Sequence, residues 1–111
     1  VCTAAQETTI AVFAVAPYTT AGAMNVNNVK YLRVTNLEET NDIQLAVTTS
    51  TTNFEILITA GNSYVMSVSL LSIKGASGVP AFGVGGTLTN LIVKPTHATE
   101  DASVELFVGL E

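Results

Sequence analysis

One stretch, between Tyr31 and Leu71, constrains the fold of this 111-residue chain more than any other. Four short segments inside it place apolar side chains at every second position, with turn-forming residues between the segments. These apolar positions are Leu32 and Val34, then Ile43, Leu45 and Val47, then Phe54, Ile56 and Ile58, then Tyr64, Met66, Val68 and Leu70. A period of two is typical of strands with one buried and one solvated face. Because the stretch has no helical period, the sequence predicts an all-β fold.

Three further segments outside this stretch also have the character of strands. Residues 6–16 are apolar on both faces, which favours a strand covered on both sides or lying at a subunit contact, with a short buried helix as the alternative. Residues 88–95 and 102–110 form the other two segments. Seven or eight short strands predict a single-domain antiparallel β-sandwich, jelly-roll-like, over residues 1–111. Within residues 31–71 we expect a meander of three hairpin-like connections.

Two segments lie outside the predicted strands and are candidates for contact with a partner. Residues 1–5 form a short arm of small side chains, which we expect to be mobile or to reach a neighbour. Residues 74–87 form a Gly-rich loop with Pro80 at its centre. Loops of this kind often carry binding function, so this one is predicted to be a docking segment.

The composition limits the classes of partner. Only 12% of the residues are charged, which is low for a monomeric surface, so either part of the surface meets another protein or Thr, Ser and Asn provide the solvation. The net charge is −5, and the basic residues do not cluster, which argues against nucleic acid as a partner. No apolar run approaches the ~20 residues of a spanning helix, so no membrane partner is expected.

The residues capable of catalysis form no recognisable motif. His97 is the one histidine, and it lies in a turn with Glu100 and Asp101, which could in principle act with it as base and orienting group. A solvated turn histidine is the favoured interpretation because no nucleophile lies nearby in the sequence. We therefore assign no catalytic residue and do not expect an enzyme.

No metal or cofactor site is predicted either. Glu38, Glu39, Asn41 and Asp42 offer oxygen ligands in one turn, but their spacing does not match a calcium loop, which supplies about 6–8 oxygens. A solvated hairpin tip is the favoured interpretation. Cys2 is the only cysteine, so the chain forms no internal disulfide, and we expect an inert thiol.

From Lys30 to Leu110 the order of elements resembles a family of small virion proteins of tailed phages. The segments that carry the resemblance are KYLRVTN before a polar tip, FEILITAGNSYVM with its glycine turn, and then LTNLIVKPT and ASVELFVGL. The resemblance implies a capsid decoration (cement) protein on the outer capsid surface of the virion. Such a protein bridges subunits of the major capsid protein and forms a homo-oligomer, with a trimer favoured.

On this hypothesis the partner contacts lie on the apolar first strand and in the Gly-rich loop. The residues are Ile10, Val12, Phe13, Gly78, Val79, Pro80 and Phe82. A tail, neck or fibre-associated virion component is the first alternative. An extracellular carbohydrate-binding β-sandwich module is the second; it predicts a concavity lined for a ligand, and the shortage of aromatic residues counts against it.

Overall fold

A computed structural model describes residues 1–14, 22–66, 78 and 85–110. These residues form eight strands and one short 3-10 turn, Val26–Asn28, between the second and third strands. The strands are β1 (Thr8–Ala14), β2 (Met24–Asn25), β3 (Val29–Asn36), β4 (Ile43–Thr49), β5 (Asn53–Ile58), β6 (Ser63–Met66), β7 (Leu88–Pro95) and β8 (Val104–Leu110).

The strands build two sheets that enclose one hydrophobic core. The larger sheet has the order β2-β1-β7-β4-β5, and the smaller sheet has the order β6-β3-β8. Among the described residues every strand pair is antiparallel except β1 with β2, where Phe13 pairs with Met24. The predicted all-β sandwich is confirmed, and residues 8–14 are a strand rather than the alternative helix.

The core is made of side chains at alternate positions on both sheets, as the period of two predicts. Leu32 and Val34 of β3 and Ile43, Leu45 and Val47 of β4 are all fully buried. The larger sheet adds Ala11, Phe13, Ile58, Leu88, Leu91 and Val93 to the same core. Burying one Leu, Ile or Val contributes about 1.5–3 kcal/mol. The core lies between the sheets, so the outward faces of both sheets are left for function.

The predicted meander is wrong in its connections. β4 and β5 do form a hairpin, in which Ile43 pairs with Ile58 and Thr48 with Asn53. β3, however, lies in the smaller sheet and pairs with β6 and β8, so the chain crosses between sheets before β4 and again before β6. A period of two determines which face of a strand is buried, not which strand lies beside it. Residues 67–71, which end the fourth predicted segment, lie outside the described residues.

The turn before β6 requires a glycine. Gly61 has a φ of 77°, in the left-handed region that glycine adopts without steric cost. The amide of Asn62 donates to the carbonyl of Thr59 at 3.1 Å and closes the turn. The carbonyl of Asn62 then accepts from the amide of Asn36 at 2.9 Å, so the turn is tied to the end of β3.

Replacing this glycine should cost about 1 kcal/mol through the backbone alone. A Cβ at Gly61 would have no heavy atom within 4 Å, so Gly61→Ala adds strain without a clash. Gly61→Asn is the matched control, since asparagine tolerates the left-handed region. Its free energy of unfolding should fall clearly less than that of Gly61→Ala. Urea unfolding of the three proteins measures the difference. Equal losses in both variants would contradict the backbone explanation.

Candidate functional site

The N-terminal arm, residues 1–5, is held against its own domain. The amide of Cys2 donates to the carbonyl of Ala102 at 2.7 Å, and the amide of Ala102 donates back to Cys2 at 2.9 Å. The amide of Ala4 donates to Asp101 Oδ1 at 2.8 Å. Cys2 itself is buried. These contacts tie the arm, which we had expected to be mobile or to reach a neighbour, to the turn before β8.

The structure describes four of the seven other predicted contact residues, and they differ in exposure. Phe13 is 3% exposed and belongs to the core of its own chain, so it offers no surface to a partner. Ile10 and Val12 are half-buried. Gly78 is exposed and has a φ of 81°. The remaining predicted contacts, Val79, Pro80 and Phe82, lie outside the described residues.

A group of exposed and half-buried side chains, both apolar and charged, lies on the outward face of the smaller sheet. We call it the β3–β8 patch, and it consists of Tyr31, Arg33, Val65, Glu105 and Phe107. Strand register places Arg33 between Val65 on β6 and Phe107 on β8. Val65 is 49% exposed and Phe107 is 51% exposed. The contact residues predicted from the sequence include none on β8, so Phe107 was missed, although its position in the alternation marks it as outward.

Contacts among these side chains hold the patch in a fixed arrangement. Arg33 Nη2 donates to Glu105 Oε1 at 3.0 Å, and the Arg33 guanidinium carbon lies 5.4 Å from the centre of the Phe107 ring. The rings of Tyr31 and Phe107 meet edge to face, with centres 5.7 Å apart and planes at 75°. Arg33 Nε is buried without a hydrogen-bond partner in the described part of the chain. The patch therefore presents an apolar surface with an internally paired charge.

Gly109 allows Tyr31 to lie close to β8. The two residues are opposite each other in the register of β3 and β8. A Cβ added at Gly109 would lie 3.2 Å from the Tyr31 Cβ, which is tighter than nearly all real contacts of this kind. The absence of a side chain at Gly109 therefore sets the position of the aromatic pair.

The larger sheet carries a concavity on its outward face. Its volume is about 240 Å³, and it is lined by Glu7, Gln44, Ala46, Glu55, Ile92 and Lys94. Ala46 lies between Glu55 and Ile92 in the register, so a small side chain stands at the centre of the hollow. The volume is below the ~300–1,000 Å³ of typical small-molecule sites. The lining offers both carboxylates and an ammonium group for hydrogen bonding.

The groups near His97 serve separate structural contacts. His97 Nδ1 accepts hydrogen bonds from the amides of Thr99 at 3.1 Å and Glu100 at 2.9 Å, so the imidazole caps its own turn. Glu100 Oε2 accepts from Asn41 Nδ2 at 2.6 Å, and Asp101 accepts from the N-terminal arm. The geometry favours the interpretation of His97 as a turn residue over that of a base oriented by a carboxylate.

The acidic turn of residues 38–42 is also occupied by structural hydrogen bonds. Glu38 Oε2 accepts from the amide of Ser103 at 2.9 Å, and Asp42 Oδ1 accepts from the amide of Ala60 at 3.1 Å. Within the described ranges, no three His, Cys, Asp or Glu side chains lie close enough together to hold a metal ion. Nor does any helix in those ranges have the length and apolarity to cross a membrane.

Two weak acids, the buried thiol of Cys2 and the half-buried hydroxyl of Tyr64, should make the stability of the fold sensitive to alkaline pH. Burial raises the pKa of the Cys2 thiol, while the N-terminal ammonium group and a hydrogen bond with Thr8 act in the opposite direction. Burial also raises the pKa of the Tyr64 hydroxyl. In both cases the folded state favours the neutral form. The stabilisation is therefore complete below the unfolded pKa values, about 8.5 and 10, and is lost as the pH rises above them.

We expect the urea midpoint of unfolding to fall as the pH rises above about 9. The double variant Cys2→Ala, Tyr64→Phe removes both ionisable groups, so its midpoint should fall less over the same range. Midpoints measured from neutral to alkaline pH give the comparison. An identical decline in the variant would show that other groups cause it.

No protein-family model matches this sequence, and no curated protein or solved structure matches it.

Proposed function

We propose that this chain is a structural binding protein of a tailed-phage virion, most specifically a decoration protein that contacts the major capsid protein on the outer shell. The resemblance of residues 30–110 to small virion proteins supports this function, and the β-sandwich fold agrees with it. The proposal concerns binding between proteins and involves no catalytic step.

The observation that carries the proposal is the β3–β8 patch. Aromatic side chains and arginine are enriched where proteins bind each other, and the patch exposes half of Phe107 beside Arg33. Arg33 is already paired with Glu105 at 3.0 Å, so a partner can cover the patch without leaving either charge unpaired. The chain as a whole carries a net charge of −5, and a locally neutral patch is the surface least repelled by another acidic protein.

A decoration protein stabilises a shell by binding the assembled form and not its separate subunits. Under mass action, a ligand at about 100 times its dissociation constant contributes about 2.7 kcal/mol per site. Many copies bound to one shell add their contributions to its stability. A copy that bridges two subunits also binds more tightly, because its first contact holds it at a high effective concentration near the second site. A small sandwich that presents the β3–β8 patch is sufficient for this role.

Co-sedimentation with shells tests the proposal. Purified chain is mixed with shells that lack it, or with unassembled shell subunits, and the bound fraction is measured after centrifugation. We expect binding to shells alone. Val65→Lys places a charge in the patch and should weaken binding at least tenfold. Leu57→Lys, at a residue 56% exposed on the larger sheet, should bind normally.

The co-sedimentation experiment tests both the decoration function and the position of the docking surface. If the unaltered chain fails to bind shells, the decoration function is overturned. If Val65→Lys and Leu57→Lys bind equally well, the β3–β8 patch is not the docking surface. Circular dichroism of both variants establishes that they are folded before binding is compared.

The concavity on the larger sheet supports a second candidate function, carbohydrate binding. Glu7, Gln44, Glu55 and Lys94 supply donors and acceptors of the kind that sugar hydroxyl groups need. Titration with a panel of oligosaccharides, followed by nuclear magnetic resonance, tests it. A ligand whose affinity falls in Gln44→Ala and Glu55→Gln would establish this function, and no binding across the panel would remove it.

A further inference from the structure

β8 is an edge strand of the smaller sheet, and the N-terminal arm covers this edge only just before the strand, where Cys2 pairs with Ala102. The β3–β8 register shifts between Val29 and Tyr31, opposite the end of β8. The single pairing partner of β8 among the described residues is β3, so one side of its backbone is open within those ranges. The strand is seven residues long and contains one charged residue, Glu105, with no lysine and no proline. Natural sheets protect long open edges with lysine, proline, bulges or covering loops.

We infer that β8 pairs antiparallel with β8 of a second copy, around a two-fold axis at Phe107. In this register the two Phe107 side chains are opposite each other, and Glu105 of each copy is opposite Gly109 of the other. The smaller sheets of the two copies then form one continuous sheet of six strands. Both β3–β8 patches lie on the same face of that sheet and become one surface.

Charge favours this register. Each copy carries a net charge of −5, so a contact that brings no like charges together avoids adding local repulsion to the repulsion between the two copies. Glu105 is paired with Arg33 within its own copy, and Gly109 has no side chain to oppose it. The two Glu105 residues are four positions apart along the strands, about 13 Å at the usual rise. No like charges are therefore in contact across the axis.

The exposed apolar side chains of β8 also favour a contact between the β8 strands of two copies. Phe107 and Leu110 on β8 are 51% and 54% exposed. Facing aromatic residues on neighbouring antiparallel strands attract each other, and main-chain hydrogen bonds satisfy the open edge. A two-fold contact uses the same edge on both copies, so it closes at two copies and forms no fibre. The result is a dimer in place of the trimer that the resemblance implies, and it does not depend on the virion function.

Disulfide trapping tests the register. Phe107→Cys places two thiols opposite each other across the axis, within the ~4.4–6.8 Å between Cα atoms that a disulfide spans. We expect this variant to form a covalent dimer under mild oxidation. Glu105→Cys should not cross-link efficiently, and neither should Val65→Cys, which lies on β6 at the other edge of the same sheet. The native Cys2 is 2% exposed, which keeps its own cross-linking low.

Light scattering measures the mass of the unaltered chain in solution, independently of any cross-link. We expect twice 11.5 kDa. A monomer across the measured concentrations would overturn the inference. A dimer that cross-links through Val65→Cys or Glu105→Cys, and not through Phe107→Cys, would overturn the β8 contact or its register. A monomer that still binds shells would leave the proposed function standing while this inference fails.

Discussion

Leu45→Ala should lower the free energy of unfolding by about 2–5 kcal/mol. Leu45 is fully buried in β4, where it pairs with Ile56 on one side and Val93 on the other. Neighbours held in hydrogen-bonded strands on both sides cannot move to fill the space that the lost atoms leave. The free energy of unfolding of a natural domain is about 5–15 kcal/mol, so this one substitution removes a large share of it.

Thermal and urea unfolding measure this effect. A domain of about 100 residues loses about 4–8 °C per kcal/mol, so the melting temperature of Leu45→Ala should fall by at least about 8 °C. Leu57→Ala removes the same atoms from a side chain that is 56% exposed on β5. Its free energy of unfolding should change by no more than about 0.5 kcal/mol. Similar losses in the two variants would contradict the position of the core between the sheets.

Asn36→Asp should cost about 3–5 kcal/mol, because it places a carboxylate where two donor groups are needed. Asn36 is fully buried at the end of β3. Its Nδ2 donates to the carbonyl of Asn41 at 2.9 Å and to that of Ile58 at 3.1 Å. Its Oδ1 accepts from the amide of Glu38 at 3.0 Å. A carboxylate at this position can still accept from the amide of Glu38. Its second oxygen, however, would face the carbonyl oxygens of Asn41 and Ile58 with no hydrogen to share.

Denaturant unfolding at two pH values tests this interpretation. At acidic pH near 4 the substituted carboxyl is partly protonated and can donate one bond, so its deficit should be smaller there than at pH 7. Asn53→Asp makes the same chemical change at an exposed position on β5 and should have little effect at either pH. A deficit in Asn36→Asp that is small and independent of pH would show that the amide is not a structural donor.

Local features of the sequence predicted the strands and their buried faces well. The alternation in β3 and β4 identified Leu32, Val34, Ile43, Leu45 and Val47, all of which are fully buried. The glycine turn before β6 was predicted too, since Gly61 alone in that turn adopts a positive φ without strain. These features depend on neighbours within a few residues, which a sequence displays directly.

Features that depend on distant segments could not be predicted in this way. The pairing of β3 with β6 and β8 joins segments far apart in the chain, and the alternation within a strand does not encode it. The role of Asn36 depends on carbonyls contributed by Asn41 and Ile58. Phe107 became a candidate contact residue only when the fold placed it beside Arg33 and Tyr31. Phe13 is among the predicted partner contacts, but it is 3% exposed and belongs to the hydrophobic core of its own chain.

The function as a shell-bound virion protein is tested most directly by counting copies of this chain in purified particles. Quantitative mass spectrometry gives the ratio of the chain to the major shell protein. We predict a ratio near one or a simple fraction of it, as expected for a component that follows the symmetry of the shell. A few copies per particle would place the chain in the tail or neck, and its absence from particles would contradict the virion function altogether.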